Sequence, residues 1–326
     1  MQQLPYIDWD HAAQLGGKVV HPGPELTPGH IAQVVEALRK AAGRAPAHVA
    51  EVSGMTTPAE AETLVVDRAG WVAAMSASAR AITTELGAPA DPPGRLDRFR
   101  GRGLATQAGG VFAALASRIL GQFDPFGTPS RLLLVAPNVV MIERQLGVNP
   151  TDFRLWVCLH EQTHRFQFGQ APWLREHLLG LMTNLLGDGE PLAKWRAGDR
   201  PKSVVDAVIA PAQRESFDQI TAIMSLLEGH ADVMMDRVGT KVLPTLPVIR
   251  RAFENHRDRG GWSAILGRLM GADLKRAQYR DGAKFCQAVL KRADLDLLNL
   301  AFSQAGMLPT LAEIHDPEQW LHRVGQ

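Results

Sequence analysis

The feature that most constrains this chain is a pair of histidines, His160 and His164, inside an apolar run. On a helix, residues at this spacing lie on one face about one turn apart, so both imidazoles can bind the same tetrahedral Zn²⁺. Glu161 is poorly placed to bind that ion, but its carboxylate can take a proton from a water on the metal. The spacing therefore predicts a hydrolytic zinc site, with His160 and His164 as ligands and Glu161 as the general base.

The five residues from His160 to His164, HEQTH, fit the general pattern HExxH. This pattern also arises by chance on solvated helix faces, where it has no chemical role. Here the flanking residues are apolar, namely Trp156, Val157, Leu159, Phe166 and Phe168. Histidines and a glutamate within such a run are expected to be buried, and buried polar groups need partners. A metal ion supplies one, which favours the functional interpretation.

A third protein ligand is expected outside this helix. The metzincin pattern would place it as a histidine at position 170, after a glycine at 167. This chain has Gln167 and Gln170 at those positions, so the metzincin pattern is excluded. The ligand must then come from another segment of the chain.

The best candidate segment is Met224–Asp232, where Glu228 and Asp232 share one helical face within an apolar stretch. In gluzincins, the third ligand is a glutamate on a second helix, so Glu228 is the predicted third ligand. Asp232 is predicted to accept the free ring N–H of His160 or His164 and so orient it. The alternative is that both acids belong to a solvated helix stripe.

Two further side chains are candidates near this site. His230 follows Glu228 by two residues and faces another way on a regular helix, so it is predicted to be packed or to support the ligands from outside. A substrate contact is the alternative. Hydrolysis also benefits from a donor that stabilises the oxyanion. Tyr279 is the predicted donor, although a lone tyrosine is structural by default, and His256 and Arg280 compete for this role.

Helical periodicity and capping signals recur along most of the chain and predict a mainly α fold. Helices are predicted at residues 9–15, 27–42, 67–86, 103–121, 152–168, 172–186, 212–238, 244–257, 261–270, 274–293 and 294–302, with one more beginning at Thr57. Residues 131–142 are β-prone and predict one or two short strands. Residues 132–135 would form an edge strand beside the site helix, to which a peptide could pair, or simply core.

The bulk properties exclude several classes of protein. With 35 Lys and Arg against 34 Asp and Glu, the net charge of about +1 does not indicate nucleic acid or an anionic membrane as a partner. Two cysteines, Cys158 and Cys286, are too few for a disulfide scaffold and fit a reducing compartment. Neither a secretory signal nor a long apolar span is recognisable, so we expect a soluble cytoplasmic protein. The oligomeric state is not predicted.

Several segments together resemble one known family. The run FRLWVCLHEQTHRFQF at 153–168, followed by APWL at 171–174, resembles a largely actinobacterial zincin-like family of zinc-dependent metalloproteases and hydrolases. Some of its members are associated with biosynthesis of a deazaflavin redox cofactor. The resemblance covers nearly the whole chain, through IDW at 7–9, VVDRAGWV at 65–72, GQFDPF at 121–126, VAPNVVMIE at 135–143, SLLEGHADVMMD at 225–236, KRAQYRDGAKF at 275–285 and LPTLAEIHDPEQWLHRV at 308–324.

The resemblance implies a mainly helical zincin-like metallohydrolase fold with His160, His164 and Glu228 as ligands and Glu161 as general base. It also supports a functional role for Tyr279. Two positions depart from the family. Phe123 stands where tyrosine is expected, which removes a hydroxyl, and His256 stands where arginine is commoner. Any substrate contact made at these two positions in the family is therefore in doubt here.

We expect one zincin-like domain over residues 1–326, with a helical N-terminal part at 1–130 and the strand and zinc-site helices at 131–326. The expected activity is zinc-dependent hydrolysis of an amide bond in a peptide by water that Glu161 activates. One alternative is a zinc amidase or tailoring enzyme that acts on a small amide in a biosynthetic pathway. Another is a non-catalytic protein with a structural zinc, which would have four protein ligands and no exchangeable water.

Overall fold

Helices dominate the structure. A computed structural model describes residues 4–56, 58–187, 213–257 and 272–325. Among these residues, strands are limited to one three-stranded sheet, so the predicted mainly α fold with a small β element is confirmed. The single domain expected over residues 1–326 stays a prediction. The described residues group into two compact units, one from Gln3–Gly169 with Arg237–Arg259, the other mainly from Gln170–Asp236 with Gly260–Gln326.

The first unit contains the sheet and the helix that carries the HEQTH motif. Its described elements are α1 (Trp9–Val19), α2 (Pro28–Ser53), β1 (Glu62–Val66), α3 (Arg68–Glu85), α4 (Arg95–Ala116), β2 (Gly121–Asp124), β3 (Arg131–Val135), α5 (Ala136–Leu146), α6 (Pro150–Gln170) and a later helix (Leu246–Arg257). Helix α6 is the motif helix, and its last residue falls in the second unit.

The sheet separates two helical layers of the first unit. Its strand order is β1-β3-β2, with β1 parallel and β2 antiparallel to the central β3. On one face, Leu133 packs with Trp71 of α3 and Ala113 of α4 in a buried apolar cluster. On the other face, Phe123 of β2 contacts Phe168 of α6, with ring centroids 5.5 Å apart. The sheet therefore lies directly against the motif helix.

Polar contacts fix the first turns of α6. The Asn149 side chain accepts hydrogen bonds from two backbone N–H groups at the start of the helix, at 2.9 and 3.2 Å. Asp152 accepts from the backbone N and the hydroxyl of Thr245, at 2.8 and 2.6 Å. Arg154 donates two hydrogen bonds to the buried carboxylate of Glu143, at 3.0 and 2.6 Å. Such paired contacts limit movement of the helix that carries the site.

One contact between α6 and α2 uses a carbonyl that Pro46 leaves without its helical hydrogen bond. Proline has no N–H, so a proline inside a helix leaves the carbonyl four residues earlier without its helical hydrogen bond. That carbonyl belongs to Ala42, and Gln162 of α6 donates to it through Nε2 over 3.4 Å. Gln162 is 1 % exposed. The middle residue of the HEQTH motif thus occupies the site on α2 that Pro46 opens.

The second unit carries the segment around Glu228. Its described elements are α7 (Leu174–Gly187), most of α8 (Arg214–Val242), α9 (Ala272–Arg292), α10 (Leu295–Asn299), two short 3₁₀ segments (Leu300–Phe302 and Ala305–Met307), α11 (Leu311–His315) and α12 (Pro317–Val324). Helices α8 and α9 touch through backbone at two glycines. A Cβ on Gly229 would lie 2.1 Å from the carbonyl carbon of Gly282, so only glycine allows this crossing.

Several sequence expectations about elements are wrong. Instead of a helix from Thr57–Pro58, residues 58–61 are irregular and lead into β1, while Thr57 itself lies outside the described residues. Residues 139–142 are helical, because α5 begins directly after β3 with a proline in its first turn. The expected edge strand at 132–135 is central, since β3 pairs on both sides. The helix expected at 261–270 lies outside the described residues.

Over the described ranges, none of the helices combines the length and the apolar character needed to cross a bilayer. Cys158 and Cys286 are both buried and not disulfide-bonded.

Candidate metal centre

The two motif histidines face each other on α6. The Nε2 atoms of His160 and His164 lie 3.2 Å apart, and their rings are nearly perpendicular, at 87°, with centroids 4.8 Å apart. Both side chains are half-buried. Two ligand atoms of a tetrahedral zinc lie about 3.3 Å apart for bonds of about 2.0 to 2.1 Å. The spacing of the two Nε2 atoms therefore fits a shared zinc ion.

Aromatic packing holds the first histidine. The Trp156 ring stacks on His160 with centroids 6.2 Å apart and an interplanar angle of 26°. Phe153 in turn stacks on Trp156, at 6.0 Å and 12°. These rings follow one another along one side of α6 at intervals of three and four residues, as helical geometry requires. The stack limits the ring orientations open to His160.

The second histidine is held by a hydrogen bond. Its Nδ1 lies 2.9 Å from Oε1 of Gln167, one turn further along α6. Gln167 is fully buried. The amide oxygen is an acceptor, so it can receive a hydrogen bond from an N–H at Nδ1 of His164, while Nε2 faces His160. Gln167 excludes the metzincin pattern in the sequence, and here it contacts a predicted ligand.

Glu161 lies on the sheet side of α6. Its side chain is 2 % exposed. A Cβ built on Gly121, the first residue of β2, would lie 2.6 Å from its Cγ and 3.0 Å from its Oε1. The backbone of β2 therefore runs directly against the Glu161 carboxyl group, and glycine is required for that approach. The carboxylate predicted as general base thus has little freedom to change its conformation.

Glu228 completes a group of donors suited to zinc. One ligand atom from each of His160, His164 and Glu228 lies within 4.8 Å of the other two. Imidazole nitrogen and carboxylate oxygen are among the donors that zinc takes in proteins, and three protein ligands leave a fourth position for water. The donor set therefore fits the ion that the sequence motif predicts. Among the described residues, this is the cluster of acids, histidines or cysteines that could hold a metal.

The cysteines do not resemble zinc ligands or nucleophiles. Burial raises the pKa of the Cys158 thiol far above its usual value, and the charge of Glu161 raises it further. Burial likewise raises the pKa of Cys286, with an added effect from Asp232. Zinc and electrophiles bind the thiolate, which is disfavoured in both environments. Cys158 instead donates to the Leu38 carbonyl over 3.8 Å, as a packed core residue does.

The other candidate residues are placed as follows. His230 is fully buried, and its ring packs on Phe302 with centroids 5.1 Å apart. Asp232 is half-buried one turn after Glu228 on α8. Tyr279 lies on α9, three residues before Gly282, and its side chain is outside the described part of the structure. The same holds for the side chains of His256 and Arg280.

Two residues at the site were not predicted from the sequence. Gln167 could have been found, because residues three apart on a helix are neighbours and an amide is a good partner for an imidazole. Gly121 carries no such local signal, since its contact with Glu161 exists only once β2 packs against α6. Phe123, where a tyrosine was expected, is buried against Phe168, so a hydroxyl at this position would enter an apolar contact.

Comparison with known proteins places nearly the whole chain among zincin-like proteins. The chain is 28 % identical to a protein from Chloroflexus aurantiacus whose crystal structure was described as that of a proposed hydrolase with a novel fold. The two structures superpose with a TM-score of 0.73 over 98 % of this chain and 99 % of the other. No curated protein is significantly similar. The sequence pattern of the zincin-like metallopeptidases matches residues 7–321, and the chain belongs to that family.

Proposed function

We propose that this protein is a zinc-dependent peptidase that hydrolyses an amide bond with Glu161 as general base. The observation that carries the proposal is the group of three donor atoms from His160, His164 and Glu228, adjacent in sequence to the buried Glu161. Family membership and the similarity to a proposed hydrolase support hydrolytic chemistry. The peptide substrate and the assignment of roles to residues belong to the proposal.

Different groups are proposed to carry out the separate steps of the hydrolysis. When bound, Zn²⁺ lowers the pKa of a water toward about 7 and polarises the carbonyl that is attacked. Glu161 takes the proton of the attacking water as the new C–O bond forms, and it passes that proton to the amine nitrogen as the C–N bond breaks. Tyr279 is the proposed donor to the oxyanion. Asp232 is proposed to orient His160, and His230 to support α8 by packing on Phe302.

A peptide substrate is favoured over a small amide by the position of β2. Within the described sheet, β2 pairs only with β3, so its other side is an edge to which an extended peptide can add. The same strand contacts Glu161 at Gly121. A peptide paired there would bring its carbonyl groups close to the general base. The second candidate is a small-molecule amidase of a biosynthetic pathway, and the link to deazaflavin biosynthesis belongs to this alternative.

A purely structural zinc is less consistent with the donor set. Such a zinc is held by four protein ligands. The described residues bring three donors together, and the fourth position would be left to water. A cytoplasmic location remains a proposal that follows from low cysteine usage, and no nucleic-acid or membrane partner is proposed.

Hydrolysis by the zinc-loaded protein tests the proposed function. The protein should cleave members of a mixed peptide library, as detected by mass spectrometry, and lose that activity on removal of metal with 1,10-phenanthroline. Added Zn²⁺ should restore it. Cleavage of small N-acyl amides without any peptide would favour the amidase. Absence of hydrolysis from both substrate classes by protein shown to contain one zinc would contradict the enzyme proposal.

Replacement of Gly121 by alanine tests the contact between β2 and the general base. The new methyl group would displace the Glu161 side chain, and a misplacement of about 1 Å in a reacting group lowers the rate by about 10²-fold. We expect kcat to fall by about that factor, with zinc content unchanged because the atoms nearest the added Cβ all belong to Glu161. Steady-state kinetics and metal analysis of the same preparation give both quantities.

The matched control for that variant is Gly43→Ala. Gly43 lies in α2, and an added Cβ there meets no atom within 4 Å. This control should keep the wild-type kcat. If Gly121→Ala were as active as the control, the Gly121 contact would have no part in positioning Glu161.

A further inference from the structure

Gln167 is a buried amide at the edge of the proposed metal site. It is fully buried, and its Oε1 lies 2.9 Å from Nδ1 of His164. Nothing in the HExxH pattern requires glutamine at this position. A buried amide that meets an imidazole fixes which ring nitrogen carries the proton, because an acceptor oxygen pairs only with an N–H.

The position of that proton decides which ring nitrogen of His164 can bind a metal. A neutral imidazole has one protonated nitrogen and one lone pair, and only the lone pair binds zinc. A proton held on Nδ1 by Gln167 leaves the lone pair on Nε2. That Nε2 is the atom 3.2 Å from Nε2 of His160. With the proton on Nε2 instead, His164 would direct an N–H at the other donors.

We propose that Gln167 is the positioning residue that holds His164 in the Nδ1–H form and so presents its Nε2 to the metal. The proposal rests on the proposed zinc site and adds to it a residue that none of the sequence motifs assigns. Gln167 does not touch the ion. It acts through His164, as the hydrogen-bond partners of metal-bound histidines do, and loss of such a partner lowers metal affinity by about 10- to 100-fold.

The first experiment measures zinc affinity by competition with a chromogenic chelator at fixed pH. Gln167→Met keeps the length of the side chain but removes the acceptor, so its zinc affinity should fall by about 10- to 100-fold. Gln167→Glu keeps an acceptor oxygen beside Nδ1 and should bind zinc at least as tightly as wild type. If Gln167 served only to fill space, the methionine and glutamate variants would not differ in this way.

Gln162→Met is the matched control. Gln162 is also a buried glutamine of α6, but its amide N–H donates to the Ala42 carbonyl of α2 and not to a histidine. Loss of the Gln162 amide should lower the melting temperature. Zinc affinity should stay within about twofold of wild type, because the hydrogen bond between Gln167 and His164 remains. An equal loss of affinity in both methionine variants would mean that general helix packing, not Gln167, controls the site.

A second readout does not need metal. In the metal-free protein, ¹⁵N-labelled histidine gives distinct NMR patterns for the Nδ1–H and Nε2–H forms. We expect His164 to be in the Nδ1–H form in wild type and to lose that preference in Gln167→Met. The same tautomer in both proteins would overturn the inference. Failure of wild type to bind zinc, with the tautomer shift present, would instead contradict the proposed metal site alone.

Discussion

Glu161→Gln is expected to lower kcat/KM by about 10³-fold while the protein keeps its zinc, because a general base contributes about 10²- to 10⁴-fold to such a rate. Glutamine has nearly the same shape, so the close contact with Gly121 and the packing of α6 are retained. What is lost is the ability to accept a proton from the attacking water. The measurement is peptide hydrolysis by wild type and variant at equal, independently determined zinc content.

A surface substitution provides the control for Glu161→Gln. Glu36 lies on α2 with a side chain that is 56 % exposed, where it pairs with Lys40. Glu36→Gln makes the same chemical change at an exposed position and should keep wild-type activity. Full activity of Glu161→Gln would exclude Glu161 as the base, even if zinc binding were established.

Removal of Glu228 is expected to have the second large effect, this time on metal affinity. Glu228→Gln replaces the one anionic donor of the group by a neutral amide, which is a weak zinc ligand. Zinc affinity should fall by more than the roughly 10- to 100-fold expected when a hydrogen-bond partner of a ligand is removed, because here a direct ligand is lost. Zinc affinity is measured by chelator competition, as for Gln167.

Glu215→Gln is the control on the same helix. Glu215 lies exposed in the first turn of α8, and its removal should leave zinc affinity unchanged. His164→Ala should lose zinc together with Glu228→Gln, since both supply donor atoms. If His164→Ala lost zinc but Glu228→Gln bound it as wild type does, the third ligand would have to be another residue.

The part of the site that was predictable from the sequence is the part that helical geometry determines. The four-residue spacing places His160 and His164 on one face of any regular helix, so their proximity follows once residues 152–168 are helical. The spacing of Glu228 and Asp232 indicated a second functional face by the same reasoning. Contacts such as that of Gly121 with Glu161 depend on how a strand packs against a helix, and no local pattern encodes them.

The strands, too, could be predicted from the sequence only in part. Strand β3 was recognisable because a strand buried on both faces is a continuous apolar run, which residues 132–135 are. Strands β1 and β2 were missed, since each is short and owes its conformation to pairing with β3. Position in the sheet could not be inferred either, and the strand expected at an edge is the central one.

The length of α2 was underestimated for a related reason. The helix was expected to end at residue 42, and Pro46 lies just beyond that point, where it removes one N–H and crowds the preceding turn. In the folded protein, the freed Ala42 carbonyl receives the Gln162 amide, and α2 continues to Ser53. A tertiary hydrogen bond thus replaces the helical hydrogen bond that Pro46 removes, and sequence rules for helix ends do not account for such a contact.

The most direct test of a catalytic zinc held by His160, His164 and Glu228 is the X-ray absorption spectrum of the protein loaded with one equivalent of Zn²⁺. We predict two imidazole ligands with the remaining donors oxygen, at about 2.0 to 2.2 Å. The set of zinc ligands should be unchanged in Glu161→Gln. A sulfur donor at about 2.3 Å, or three or more imidazoles, would contradict the proposed centre.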